Sequence, residues 1–403
     1  MKIAYIAPEI PALSATFVYH EILQLEQEGF DILPISIHVP QNFAMEDKVK
    51  LLAEKTIYFY KNHFIDFFWH VILFAMKNPH SFFRVFLIAL KDAFKLGLFT
   101  HRGRGIIFRF LTASKLSKII KMKNCRRIHA NFAHIPTDIA MYASMLTGIP
   151  FSFTSHANDL FERGWLISEK IERSDFNITI SEFNKKFMTK LGGNPKKIDV
   201  IHCGINPNEF VSCNEKEKKN NLLLIGTLGR LVEKKGIDVL IYACNILKEK
   251  KIDFLLEIGG SGPLEIELKD LVKRLGLSNE VKFKGIISHG EVHNWLCGLD
   301  IFVLACKKDR NKDMDGIPVV LMEAMISGIQ VVSTKLSGIP ELIEDGVNGF
   351  LSEPDNPFSL SDAILRSIKE PNKKALIFKN AKEKINNDFN ISKNVKKLAR
   401  RML

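Results

Sequence analysis

The sequence predicts an α/β protein built from two parallel-sheet domains. Three observations carry that expectation. Strand-like runs alternate with helical ones along the chain, at a spacing that yields parallel sheets covered on both faces. The 403 residues exceed what a single hydrophobic core usually holds. A polar, charged run from Cys213 to Asn221 breaks the alternation near the middle and reads as a linker. Two such domains facing a cleft would present ligand-binding groups at the carboxyl ends of their strands.

The elements follow in order. Lys2 to Ala7 reads as a first strand, and Phe17 to Gly29 as a helix with apolar spacing near 3.6 and a glycine stop. Asp31 to His38 is the next strand. Phe64 to Met122 reads as mostly helical, broken at Asn78-Pro79 and again at Gly103 to Gly105. Short strands are expected at Arg127–Asn131, Phe151–Thr154, Phe176–Ile180 and Asp199–Ile201. A second series follows the linker, at Leu222–Gly226, Phe254–Gly259, Val281–Lys284, Ile301–Ala305 and Gln330–Ser333. The lysine-rich end, Ser361 to Leu403, reads as outer helices. The expected division is 1–212, 213–380 and a helical segment 381–403 packing back towards the first domain.

Composition narrows the class. No 18-residue apolar run is free of charge, so no spanning helix is expected, and Met1 to Pro8 reads as a strand rather than a secretory signal. The six cysteines are scattered, with no Cys-x-x-Cys pair. Neither a disulfide nor a metal framework is expected, and a reducing cytoplasm fits. The net charge of +12 is unevenly placed. Between Lys61 and Arg127 stand fourteen Lys or Arg against two acids, mixed with many phenylalanines. Basic and aromatic residues in helices too short to span a bilayer fit an interfacial surface on anionic lipid. A packed helical pair edged by solvated lysines is the plainer alternative. No nucleic-acid-binding motif accompanies the charge, so a nucleic-acid partner is not expected.

The stretch Asp313-Met-Asp315-Gly316-Ile317-Pro318-Val319-Val-Leu-Met-Glu323-Ala-Met-Ile-Ser-Gly328 carries the chemistry. It reads as a loop feeding a helix, with Pro318 suited to the first helical position and Gly328 to the position after the last turn. Free N–H groups at that helix start seat a phosphate. Asp315 and Glu323 bracket the seat, and carboxylates accept hydrogen bonds from sugar hydroxyls. Acid, phosphate seat and acid in sequence suit a nucleotide-sugar. Upstream, Gly226-Thr-Leu-Gly229-Arg230-Leu-Val-Glu-Lys-Lys235-Gly236 follows a strand, and its Arg230 and Lys235 would neutralise a departing diphosphate.

The 313–328 segment resembles the acidic-x7-acidic motif of family 4 retaining glycosyltransferases, with Asp315 where many members carry Glu. The Gly229-Arg230…Lys235-Gly236 run resembles the element with which that family grips the donor diphosphate. Gly259-Gly-Ser-Gly262-Pro263 follows a strand and would bring backbone N–H groups near a nucleotide, a simple strand-to-helix turn being the plainer alternative. Val281-Lys-Phe-Lys-Gly285-Ile286-Ile resembles the family's strand and loop near the base, and Ser337-Gly338 to Gly349 a following helix and turn. In the first half, His156-Ala-Asn-Asp159 resembles the family's His-Ala-x-Asp element. His129-Ala-Asn131-Phe-Ala resembles its His-Ala-His-Phe-Ala run, with Asn131 replacing the second His. Ser14-Ala-Thr16-Phe17…Glu21 resembles the opening of the exopolysaccharide branch, with Ala15 replacing Glu.

The resemblance implies the GT-B fold of two Rossmann-like domains, a UDP- or GDP-linked sugar donor, retention of configuration, no cofactor and no metal. It implies Arg230, Lys235, Asp315 and His156 as catalytic residues. Glu323, Gly316, Ile317, Pro318, Val319, Gly229, Gly262, Ile286 and Thr16 are implied as substrate-binding. The expected acceptor is a saccharide, polyprenyl-linked, at the inner face of the cell membrane. A nucleotide-sugar epimerase or hydrolase, or a non-catalytic nucleotide-sugar-binding protein, would fit the same scaffold.

Overall fold

The computed structural model describes residues 1–12, 15–40, 47–60, 64–213, 222–369 and 373–403, with backbone only at 64–68 and 289. Most of the expected linker (214–221), Ser14 of the opening motif and residues 61–63 of the basic segment lie outside the described residues. Two compact units divide the chain: Met1–Ile201 with Val395–Leu403, and His202–Asn394.

Among the described residues the first unit holds seven strands: β1 (Lys2–Glu9), β2 (Asp31–His38), β3 (Ile57–Tyr58), β4 (Arg127–Asn131), β5 (Phe151–Ser155), β6 (Asn177–Thr179) and β7 (Ile198–Val200). All pair in parallel, in the order β3-β2-β1-β4-β5-β6-β7. The second holds β8 (Leu223–Leu228), β9 (Phe254–Gly259), β10 (Val281–Gly285), β11 (Ile301–Leu304), β12 (Gln330–Thr334) and β13 (Phe350–Ser352). These also run parallel, in the order β10-β9-β8-β11-β12-β13. Each sheet reverses its winding at one place, between β1 and β4 and between β8 and β11. That is the doubly wound order, and its ligand crevice lies beyond the carboxyl ends of the strands at the reversal.

Period-two alternation explains how one strand serves two layers. In β11, Ile301 and Val303 join the core on one face of the sheet, while Phe302 and Leu304 join the core on the other. All four are buried. The two short strands β3 and β13 lack enough residues to show such a period, which is why the sequence pattern misses them.

Three expectations need correction. The helix His101–Met122 runs unbroken through Gly103 and Gly105, and the chain turns instead at Leu96–Thr100. Gly103 is there for close approach: a Cβ would lie 2.3 Å from the Gly97 carbonyl oxygen. Thr100 caps this helix by accepting from the Gly103 N–H at 3.1 Å. Pro318 precedes the helix Val319–Ile326 as its N-cap, extended at ψ 125°, rather than occupying the first turn. Cys213 and Cys297, 84 residues apart, form a disulfide that spacing alone did not reveal.

Candidate functional site

In the second unit, the loops after β8 and β11 meet at the winding reversal. The Lys307 N–H donates to the Lys234 carbonyl at 2.9 Å, tying one loop to the other. Gly236, at φ +60°, passes so close that a Cβ would sit 1.8 Å from the Ala305 carbonyl oxygen. Only glycine permits this contact, and it places Lys235 over the second loop.

There Lys235 Nζ meets Asp315 Oδ2 at 2.6 Å. Lys234 Nζ lies 2.8 Å from Asp313 Oδ2 and 3.5 Å from Asp315 Oδ1. The Cys306 thiol donates to Asp315 Oδ2 at 3.4 Å. Burial raises the Asp315 carboxyl's pKa, but the charges of Lys235 and Lys234 outweigh it and hold the group below its usual range. Burial likewise lowers Lys235, and Asp315 outweighs that, so its ammonium titrates above the usual lysine range. Burial first, and then Asp315, push the Cys306 thiol up, so it stays protonated. Arg230 stands in the same loop and is exposed. Gly229 lies under the Lys235 side chain, where a Cβ would come within 3.2 Å of Cε.

The loop 307–318 is built by its own acids. Asp309 Oδ1 accepts from the Asn311 and Asp313 N–H groups at 2.8 Å each. It delivers the chain to Gly316 and into the helix Val319–Ile326. Gly316, Ile317 and Pro318 are buried, and Ile317 packs its side chain into the core, so only its backbone faces a ligand. Val319 and Glu323 are half-buried on the helix. Gly328, at φ +82°, closes it as expected.

Gly262 packs against the β8 loop: a Cβ there would lie 2.6 Å from the Leu231 carbonyl oxygen. The Leu231 N–H in turn donates to Ser261 at 2.9 Å. This glycine shapes the Arg230 turn. Ile286, following β10, is 79% exposed and offers an apolar ledge.

In the first unit, the reversal between β1 and β4 holds a chain of buried hydrogen bonds. His156 Nε2 lies 2.7 Å from Asn131 Oδ1. Asn131 Nδ2 donates to the Tyr5 hydroxyl at 2.6 Å, and Tyr5 donates to Glu21 Oε1 at 2.6 Å. With the Asn131 amide assigned in this sense, the His156 proton sits on Nε2. Burial lowers the His156 pKa to about 3, so the ring is neutral at pH 7. Rings of Phe17 and Phe132 flank it at 4.6 Å each. Asp159 accepts from the His156 and Ala133 N–H groups at 3.0 and 2.6 Å, and burial raises its pKa to about 6. Burial raises Glu21 to about 7, against the lowering effect of the Tyr5 and Asn131 hydrogen bonds. Thr16 opens the helix Thr16–Gln27 that carries Glu21.

Asn131 and Glu21 stand in two of the family-like motifs, whereas no sequence signal marks Tyr5. Their joint role depends on the β1–β4 pairing, which brings Tyr5 opposite His129. His129 itself is structural, held by Ser152 and Thr154 at 3.0 and 3.1 Å.

The basic segment forms the helices Phe64–Lys77, Pro79–Lys95 and His101–Met122. Phe74 and Phe110 are buried, whereas Trp69, Ile72, Leu73, Met76, Phe83, Leu87 and Phe94 are exposed. Lys77, Arg84 and Lys91 are exposed beside them. Lys115 is not a surface charge: it donates to the Phe59 carbonyl at 2.6 Å. Among the described residues no single helix is long and apolar enough to cross a membrane, though one pair bent by 117°, Trp69–Lys77 with Pro79–Lys95, passes together on length and composition.

Comparison with known proteins agrees with this geometry. The family model described as Glycosyltransferase Family 4 matches residues 53–209, and that described as Glycosyl transferases group 1 matches 210–384. The amylovoran biosynthesis glycosyltransferase AmsK of Erwinia amylovora is 27% identical over 97% of this chain and 96% of its own length. A glycosyltransferase assigned to colanic acid biosynthesis in Escherichia coli, WcaL, is 35% identical over 59% of this chain, and the match spans only 56% of WcaL. Among solved structures, Anabaena Alr3699/HepE in complex with UDP superposes with a TM-score of 0.71 at 18% identity, over 100% of this chain and 99% of its own. A glycosyltransferase from Rickettsia africae gives 0.71 at 19%, over 99% and 97%. With the two family models together matching residues 53–384 and the solved glycosyltransferases superposing over the chain's length, the chain belongs to glycosyltransferase family 4 and has the GT-B fold.

Proposed function

We propose that this protein transfers a sugar, with retention of configuration, from a UDP- or GDP-linked donor to a saccharide acceptor in surface-polysaccharide synthesis. One observation carries the reading: at the β8–β11 reversal a lysine is held charged by a half-buried aspartate, beside an exposed arginine and a helix start. Lys235 and Arg230 supply positive charge where a leaving diphosphate needs it, and the N–H groups from Val319 onward add to it. These fixed cations make the chemistry independent of a divalent ion. Asp315 Oδ2 is occupied by Lys235 and Cys306, which leaves Oδ1, with its longer contact to Lys234, to accept from a donor-sugar hydroxyl. Glu323, one turn into the helix, is assigned to the ribose. His156, neutral and held by Asn131, is assigned to a sugar hydroxyl of the acceptor.

Support for the pathway comes from relatives named for colanic acid and amylovoran biosynthesis. Support for the donor comes from a structural neighbour solved with UDP-glucose. The exposed apolar and basic residues of 69–94 support a peripheral position on an anionic membrane, facing a cytoplasmic donor pool and a polyprenyl-linked acceptor.

A panel of UDP-, GDP- and ADP-sugars, screened by thermal shift and then assayed with lipid-linked saccharides in EDTA, tests this reading. A product whose new linkage keeps the donor's anomeric configuration is expected. Inversion, or release of free sugar or an epimer alone, would contradict it.

A further inference from the structure

We propose that Cys213, His293 and Cys297 form a binding site for a soft divalent cation of the zinc class, open when the Cys213–Cys297 disulfide is reduced. The three side chains offer two sulfurs and an imidazole nitrogen, all within 4.8 Å of one another and half-buried. His293 lies on the helix His289–Leu296 and Cys297 is its C-cap, so the pair sits four residues apart on one face. His293 Nε2 already lies 3.7 Å from Cys297 Sγ. In a tetrahedral zinc site with bonds of about 2.1 Å to nitrogen and 2.3 Å to sulfur, that edge is about 3.6 Å. The Cys213 and Cys297 Cα atoms are 5.3 Å apart. Once reduced, a change of side-chain rotamer parts the sulfurs to the sulfur–sulfur edge of about 3.8 Å that such a site requires.

A second layer holds these ligands in place. Ser327 Oγ lies 3.2 Å from His293 Nδ1, which leaves Nε2 as the ligating nitrogen. The Ser327 carbonyl accepts from the Cys213 N–H at 3.0 Å. One residue therefore orients two ligands from chain segments eighty residues apart, an arrangement the disulfide alone does not need. The Phe210 ring stands 5.9 Å from the imidazole. Ser327 also donates its N–H to the Glu323 carbonyl at 3.1 Å, so the site adjoins the end of the helix that bears Glu323.

The chemistry balances simply. Opening the disulfide takes two electrons and two protons: two external thiols supply both and leave as their own disulfide, or a phosphine supplies the electrons while water gives the protons and the oxygen of the phosphine oxide. Cation uptake then releases both thiol protons to solvent, as two thiolates and one imidazole nitrogen bind, and water fills the fourth position. In a reducing compartment the dithiol form prevails. The cation then clips the chain entering the second unit to the end of the Val319–Ile326 helix.

The test uses the full chain, reduced with a phosphine under inert gas, desalted and titrated with cobalt(II). One equivalent should bind, with sulfur-to-cobalt charge-transfer absorption and the intense visible bands of tetrahedral coordination, and zinc should displace it. Cys213→Ser and Cys297→Ser should each remove about half of the charge-transfer intensity, and His293→Ala should weaken binding at least tenfold, whereas Cys203→Ser should change neither. In the unmutated protein, zinc should protect Cys213 and Cys297, but not Cys203, from alkylation as read by mass spectrometry. No cobalt uptake by the reduced chain, equal uptake by the oxidised chain, or spectra unmoved by the Cys213 change would overturn the proposal.

Discussion

Lys235 Nζ and Asp315 Oδ2 stand 2.6 Å apart, and each favours the charged form of the other. Pairing offsets what partial burial costs both charges. Asp315→Asn should therefore lower the Lys235 pKa and free its side chain from position. The expected loss in kcat/KM is about 100-fold, with weaker binding of the free nucleoside diphosphate. A double-substitution cycle with Lys235→Ala should be strongly non-additive, since each change removes the same contact. Additive losses would mean that the two residues act separately.

Glu21 gives a pH signature. Its carboxyl titrates at about 7 in the folded chain against an ordinary value of 4.5. The native state then holds a proton that the unfolded chain has released, so stability falls as pH rises from 4.5 to 7 and levels off above. Asp159, raised from 3.8 to about 6, adds a fall of the same sign at lower pH. Glu21→Gln keeps an acceptor for Tyr5 but does not titrate. Urea melts at pH 5 and pH 8 should show the variant losing less stability than the parent across that interval. Parallel pH dependence in the two proteins would rule out the raised value.

Asn131 links His156 to Tyr5, so Asn131→Ala removes one hydrogen bond from each of two buried side chains. Destabilisation of about 0.5–1.5 kcal/mol per lost hydrogen bond is expected. Activity should fall with it, and His156→Ala should add little to that loss. Full activity in a folded Asn131→Ala protein would separate the hydrogen-bond chain from turnover.

The exposed cations of the Pro79–Lys95 helix sit beside exposed Phe83, Leu87 and Phe94. Each Lys or Arg near an anionic bilayer contributes about 1 kcal/mol. Arg84→Glu with Lys91→Glu should cut sedimentation with anionic vesicles by at least tenfold at low salt, and raised salt should weaken the parent's binding. Unchanged nucleotide binding would show the variant to be intact. Lys115 is unsuited to such a test, because its bond to the Phe59 carbonyl makes it part of the packing. Vesicle binding indifferent to salt and to both substitutions would leave these helices as packing alone.

Much of the 313–328 segment's local structure was legible in the sequence because its residues are close in the chain. The 313–328 run carries acid, loop, helix and stop in order, and the structure moves only Pro318, by one position. Lys235 and Asp315 were both named, yet their ion pair was not, since it requires β8 and β11 to lie side by side. Asn131 and Tyr5, 126 residues apart, meet only through the β1–β4 pairing. Cys213 and Cys297 are joined across 84 residues, where spacing carries no signal. Gly103 read as a helix break because sequence shows the missing side chain but not the carbonyl it makes room for.

The most direct measurement is single-turnover transfer by Arg230→Ala and Lys235→Ala with the donor sugar that the parent protein uses. Each substitution removes charge from a departing diphosphate, a loss of about 2.7–4 kcal/mol if these groups act as preorganised electrostatic stabilisers. Transfer should slow by a factor of 100 to 1,000 in each variant, with thermal unfolding little changed in Arg230→Ala. Near-normal transfer rates in both folded variants would contradict the assignment of this loop as the diphosphate grip.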